Sequence, residues 1–287
     1  QRLSTNPNEI ASRAWWAAAF PGHPYGRPVS GTPESVARIG ADDLKAYLKR
    51  TLTRDSLKIG VVGDIDAASA GRLIDRAFAS LPAKGELTPI ANATLQGAGR
   101  RIVIDLDVPQ AVVNFGGLGL LRSDPDFMPA YLMTHILGGG SFSSRLYREV
   151  REKRGLAYGV SDSLMWLYHA GVHVGGTATR SDATKNTLDV IESEIARMAK
   201  DGPTAEELDK AKTFLKGSFA LGLDTSTKIA NQLVSMQLDN LGIDYIARRP
   251  ALIDAVTLAD TKRVAKRLLD PGLLVAIVGR PQDIAPK

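Results

Sequence analysis

Two segments near opposite ends of this chain are copies of one pattern, and that duplication constrains the fold more than any other feature. Residues 36–63 read VARIGADDLKAYLKRTLTRDSLKIGVVG, and residues 253–279 read IDAVTLADTKRVAKRLLDPGLLVAIVG. Ile39 stands against Val256, Asp43 against Asp260 and Lys49–Arg50 against Lys266–Arg267, at a constant separation of about 217 positions. Gly63 meets Gly279 after a one-residue slip, and Ile10–Ala11 corresponds loosely to Ile229–Ala230. Each copy is an amphipathic helix followed by a short apolar run that ends at glycine, the pattern of a helix feeding a buried strand. A full set of strands and helices precedes Asp260 from Arg101 onward, whereas about 42 residues precede Asp43. If the copies are equivalent, roughly 115 residues of the first domain lie outside this sequence, and the chain reads as a fragment or a processed product.

Periodicity places the remaining elements. Helices are predicted at 9–19, 41–50, 67–80, 125–137, 142–153, 183–200, 204–221, 227–241 and 258–268, with Thr204 and Glu207 forming a capping-box pair. The segment 57–63 (LKIGVVG) reads as a buried strand, and further strands are predicted at 101–106, 111–118, 156–167, 170–178 and 273–279. Adjacent strands that pair antiparallel, mixed with helices, indicate an α+β layer sandwich. The expectation is two homologous sandwich domains, the first truncated at its N-terminus. Residues 1–82 form the end of the first, 83–100 a linker rich in Pro, Gly, Ala and Thr, and 101–287 the complete second domain.

Composition narrows the function classes. The 287 residues are 44% hydrophobic and 23% charged, ordinary for a soluble globular protein. No apolar run approaches the 18 or so residues that span a bilayer, and the opening QRLSTNPNE does not resemble a signal peptide. The net charge of +5 is spread along the chain with no aromatic-interleaved basic block, which argues against nucleic-acid binding. The absence of cysteine rules out disulfides, thiol catalysis and thiolate metal ligation.

Candidate chemistry concentrates in residues 138–158, GGGSFSSRLYREVREKRGLAY. A glycine turn, a short helix with the apolar stripe Phe142, Leu146 and Val150, and a strand leave Arg151 and Tyr158 seven positions apart across a hinge that Gly155 can close in a left-handed conformation. A guanidinium and a phenol are donors suited to a substrate carbonyl or a developing oxyanion. On pattern alone the opposing reading is stronger: Arg148, Arg151, Lys153 and Arg154 complement the helix C-terminus, and Tyr158 is an ordinary strand aromatic. The four histidines fail a metal test. His169 and His173 in HAGVH lack the glutamate of H-x-x-E-H, and on a strand four positions part the rings by roughly 13 Å. His135 has glycines where further ligands are needed, and His23 lies in a proline-locked loop as a local hydrogen-bonding residue. No G-x-S-x-G elbow, Walker loop or dinucleotide fingerprint is present.

The segments HPYGRPVSGTPESV (23–36), LKIGVVGDID (57–66) and above all LGGGSFSSRLYREVREKRGLAY (137–158) resemble the M16 group of zinc metallopeptidases, which includes pitrilysin, insulinase and the mitochondrial processing peptidase. The resemblance covers almost the whole chain. It implies paired homologous α+β domains that close with an opposing half around an unfolded peptide. One half carries zinc on H-x-x-E-H plus a downstream glutamate, and the other contributes an Arg and a Tyr that bind substrate. Arg151 and Tyr158 occupy those positions, and the resemblance overrides the pattern-only reading of both. H-x-x-E-H is absent from these 287 residues. The resemblance therefore implies a non-catalytic chain that binds peptide but no cofactor, paired in a heterodimer with a zinc-bearing M16 subunit, with a bacterial periplasm as the compartment. An active enzyme whose metal segment lies upstream, and a proteolytically silent structural subunit like the core proteins of respiratory complexes, remain as alternatives.

Overall fold

The computed structural model describes residues 5–284. Its longer helices are α1 (Pro7–Ala19), α2 (Ala41–Thr51), α3 (Ala67–Phe78), α4 (Phe127–Thr134), α5 (Tyr147–Glu152), α6 (Thr184–Asp201), α7 (Ala205–Leu221), α8 (Ser226–Leu238), α9 (Tyr245–Asp254) and α10 (Leu258–Leu269). Its strands are β1 (Arg101–Ile104), β2 (Gln110–Leu118), β3 (Ala157–Trp166), β4 (Gly171–Arg180) and β5 (Leu274–Val278). The fold is α+β. The chain forms two compact units, one of Gln1–Val29, Asn92–Phe214 and Ala251–Lys287, the other of Ser30–Ala91 and Leu215–Pro250. These units cut the chain differently from the 1–82, 83–100 and 101–287 division, which follows the repeat.

The first unit holds a five-stranded sheet in the order β1-β5-β2-β4-β3. β1 runs parallel to β5, with Ile102 opposite Ala276, and every other neighbouring pair is antiparallel. β5 (LVAIV) is buried at all five residues, as a strand flanked on both edges and covered on both faces must be. α1 begins at Asn6, whose side chain accepts the Asn8 N–H at 2.9 Å, and Pro7 sits in its first turn, where a missing N–H costs nothing. It lays Trp15 and Ala19 against Leu274, Ala276 and Val172. The Trp15 indole donates to the Leu274 carbonyl at 2.9 Å. Gly116 on β2 permits this approach, since a Cβ there would stand 2.7 Å from the indole ring. α10 buries Thr261, Val264, Ala265, Leu268 and Leu269, a helical stripe, and packs against α6 and α4.

Part of the expected linker is built into this unit. Leu95 is buried beside Trp15 and Phe20, the Ala93 N–H donates to the His169 carbonyl at 2.7 Å, and the Gln96 N–H donates to the Ala19 carbonyl at 2.8 Å. Apolar burial of one leucine and two backbone bonds hold a stretch whose composition looks like a free tether.

The second unit is helical among its described residues and overturns one expectation. Residues 57–63 form no strand and pair with none. The run has strand composition, yet all five strands of the described chain lie in the other unit, so no edge is offered to it. α8 lies close beside it: a Cβ on Gly60 would stand 2.6 Å from the Ala230 carbonyl oxygen, and Gln237 donates to the Ile59 carbonyl at 3.0 Å. α9, with Pro250 inside it, was absent from the periodicity reading.

Replacing Trp15 tests the seam between α1 and the sheet. Trp15→Phe removes the indole donor from the Leu274 carbonyl and is expected to cost about 1–3 kcal/mol. Trp15→Ala adds a large cavity, for about 3–5 kcal/mol in total. Urea unfolding followed by circular dichroism reads both values, and midpoints equal to that of the parent chain would contradict the assignment.

Candidate functional site

Residues 135–158 fold as two widened helical turns around a glycine elbow. α4 runs into a π-helical turn, His135–Gly139, closed by the Gly140 N–H bonding the His135 carbonyl at 2.8 Å. α5 is π-helical as well, and the Lys153 N–H reaches the Arg148 carbonyl five residues back at 3.0 Å. Between them Ser144 is extended and Ser141 takes a left-handed φ of 47°. The expected stripe is therefore broken. Leu146 and Val150 are fully buried, whereas Phe142 precedes the helix and is 71% exposed, with its ring edge-on to Tyr147 at 5.0 Å. Gly138 sets the elbow on β3, because a Cβ there would stand 2.4 Å from the Asp162 nitrogen.

Two ionic anchors hold this segment. Arg145, almost fully buried, grips Glu207 with Nε at 2.7 Å and a terminal nitrogen at 2.6 Å, and also donates to the Gly202 carbonyl at 3.1 Å. Glu207 is the capping-box residue of α7, accepting from the Thr204 N–H at 2.8 Å as the sequence predicts. The second anchor is Glu149, 5% exposed within α5. Lys153 and Arg154 each donate to it at 2.8 Å, and Arg148 stands 3.6 Å away. Burial alone would raise the Glu149 pKa from its ordinary 4.5. The hydrogen bonds and charges of Lys153 and Arg154 outweigh burial and bring it down to about 2.

These anchors occupy four of the five lysines and arginines of the segment and leave Arg151 to a different environment. Its guanidinium donates to the Tyr147 hydroxyl and lies 5.0 Å from the Tyr147 ring centroid and 4.6 Å from that of Tyr158. Gly155, at φ 60°, turns the chain into β3. A bulge between Ala157 and Val160 then inserts Tyr158 and Gly159 out of register with β4, and Tyr158 emerges 86% exposed. The structure thus brings Arg151 and Tyr158 into contact, with the guanidinium lying over the face of the phenol ring. Tyr147, Glu149 and Arg145 are supports that the sequence reading passed over. The spacings Tyr147–Arg151 and Glu149–Lys153, each i,i+4, were the signal available for the first two.

The histidines serve other ends. His173 is buried and its Nδ1 meets the Asp162 carboxylate at 3.1 Å. His169 contacts the Asn92 side chain at 3.2 Å, and the His23 Nδ1 accepts the Tyr25 N–H at 3.2 Å as a helix cap. His135 stacks on Phe214 at 5.1 Å, and burial lowers its pKa. Among the described residues no group of three or more His, Cys, Asp or Glu could hold a metal ion, so the residues present do not fit a zinc site. No helix among them is long and apolar enough to cross a membrane.

Residues 38–215 match the family model of the peptidase M16 inactive domain. The chain belongs to that family. A protein of Streptomyces coelicolor named as an uncharacterized zinc protease is 30% identical over 287 residues, which is 97% of this chain and 62% of that protein. The mitochondrial-processing peptidase subunit beta of Lentinula edodes is 29% identical over 290 residues, covering 94% of this chain and 60% of its own. The solved M16 inactive domain from Pseudomonas fluorescens superposes with a TM-score of 0.90 at 29% identity, over 100% of this chain and 68% of the other. A Helicobacter pylori protease at 19% identity shares the fold, with a TM-score of 0.84 over 96% of this chain and 68% of that one. The chain spans 62–63% of the length of the bacterial zinc-protease relatives it matches first.

Acid titration tests the Glu149 anchor. A carboxyl held near pKa 2 in the folded chain and near 4.5 when unfolded contributes stability that is complete above about pH 5 and is lost as pH falls toward 2. Glu149→Gln is expected to lower stability at pH 7 by roughly 2–3 kcal/mol and to flatten the decline between about pH 5 and pH 2. Urea unfolding at a series of pH values measures this, and parallel pH profiles for parent and variant would count against it.

Proposed function

We propose that this chain is a non-catalytic half of an M16 zinc metalloendopeptidase and binds peptide substrate through Arg151 and Tyr158. The observation that carries the reading is the placement of these two groups. An exposed phenol is thrown outward by a bulge, and a guanidinium rests on its ring at 4.6 Å with further N–H donors beyond the one that Tyr147 accepts. Such a pair grips a backbone carbonyl and stabilises the oxygen further as negative charge gathers on it during attack. Water attack on the peptide bond belongs to a zinc-bearing M16 partner, which supplies the metal that no cluster in the described residues here can hold. The partner and this chain form a heterodimer around an unfolded or extended peptide. In the same reading, residues 1–82 and 101–287 descend from one duplicated domain.

Reconstitution with a zinc-bearing partner tests the proposal. Tyr158→Phe and Arg151→Ala are each expected to reduce kcat/KM for peptide cleavage by roughly 10²–10³-fold, corresponding to a loss of about 2–4 kcal/mol in transition-state stabilisation. Thermal unfolding of both variants should stay close to that of the parent, since neither group is buried core. Undiminished cleavage by the pair carrying both substitutions would refute the role and leave a structural subunit as the better description.

A further inference from the structure

Arg151 is tethered by a different chemistry from the cations around it. Arg148, Lys153 and Arg154 gather on the carboxylate of Glu149. Among the described residues no carboxylate pairs with Arg151, and its guanidinium donates to the Tyr147 hydroxyl. The two anchors have unlike consequences. A carboxylate cancels the charge of the guanidinium that it holds. A phenol oxygen takes one of the five N–H groups, leaves the charge whole and leaves other donors for a ligand. Tyr147 therefore directs this cation without neutralising it. Its ring adds to the hold, since the guanidinium carbon lies 5.0 Å from the Tyr147 centroid and 4.6 Å from that of Tyr158. Tyr147 itself is 8% exposed at the start of α5, flanked by the fully buried Leu146 and Val150. Its N–H reaches the Ser144 hydroxyl at 3.4 Å, and Phe142 meets its ring edge-on. A side chain so enclosed offers a peptide almost no surface of its own.

We infer that Tyr147 is a positioning residue for peptide binding, whose hydroxyl and ring set the Arg151 guanidinium against Tyr158 before substrate arrives. The inference rests on the proposed role of Arg151 and Tyr158 in holding the substrate carbonyl. An arginine side chain is long and rich in rotamers, and a loose one must give up that freedom when it grips a ligand. Anchored on Tyr147, Arg151 has given up much of it beforehand, and binding is stronger for that. The anchor serves Tyr158 as well. The guanidinium gives the exposed phenol ring a surface to rest on, so an Arg151 that swings loosens Tyr158 with it.

Tyr147→Phe is the informative variant, because it keeps the ring with its packing and removes the oxygen alone. In the pair reconstituted with a zinc-bearing partner, it is expected to lower kcat/KM for peptide cleavage by roughly 10-fold. With Arg151 already replaced by alanine, the same substitution is expected to change kcat/KM by less than about 2-fold, since there is then nothing to position. A readout free of catalysis is the Arg151 Nε–H order parameter from NMR relaxation of the 287-residue chain. It is expected to drop from about 0.8 to below about 0.6 in Tyr147→Phe, with the thermal midpoint kept near that of the parent. Arg151→Lys removes that resonance and so assigns it. An unchanged order parameter, or cleavage that Tyr147→Phe leaves intact or lowers equally in both backgrounds, overturns the inference while Arg151 and Tyr158 keep their role. Undiminished cleavage by Arg151→Ala alone takes the role from Arg151, and the positioning by Tyr147 falls with it.

Discussion

An inner strand must satisfy its backbone on two edges and its side chains on two faces, and most of the first unit exists to do this for β5. β1 and β2 close its edges, α1 covers it from one side through Trp15, and α10 completes the packing through β2, α4 and α6. The same demand explains the second unit. There the strand-like run has a helix beside it and no strand, so it joins no ladder and leaves part of its apolar surface in solvent. Composition made both runs look like strands, but only a neighbour makes a ladder.

Charge is sorted around α5 by one buried acid. Four cations crowd the helix between Arg148 and Arg154, and a helix C-terminus would accept all of them without preference. Glu149 breaks the degeneracy. It takes Lys153 and Arg154 by hydrogen bonds and Arg148 at longer range, while Arg151, on another face of the helix, meets the Tyr147 hydroxyl and the rings of Tyr147 and Tyr158. Removing the other cations from competition leaves one guanidinium beside Tyr158. The bulge in β3 performs the matching task for the phenol, since two consecutive residues, Tyr158 and Gly159, are both exposed where a regular strand would bury one of them.

The sequence was legible where local pattern and tertiary demand agree. α10, α6 and the strands from 101 to 180 stand within a few residues of their expected positions because period and burial coincide there. The 57–63 run failed for a reason no window could reveal, since a strand needs a neighbouring strand and the described residues offer it none. α9 escaped because Pro250 reads as a breaker, although a proline within a helix can be tolerated when tertiary packing favours the helix. Phe142 was drawn into a stripe by its i,i+4 spacing to Leu146, but the extended Ser144 starts the helix too late to include it. The pairing of Arg151 with Tyr158 could be read only through the family resemblance. Seven positions across a hinge carry no periodicity, and their contact depends on Gly155 and the bulge together.

The histidines show how far the described residues stand from a metal site. Zinc ligation needs several imidazoles or carboxylates with lone pairs free and converging. Here one imidazole caps a turn, one meets Asn92, one lies against Phe214, and the most buried already shares its Nδ1 with Asp162 beneath the glycine elbow. Bringing any three together would dismantle a cap, a stack or the β3–β4 seam. Arg151 and Tyr158 need no such convergence. Two donors held by one acid, one glycine and one bulge are what the proposed role asks of this segment, and they make no demand on the histidines.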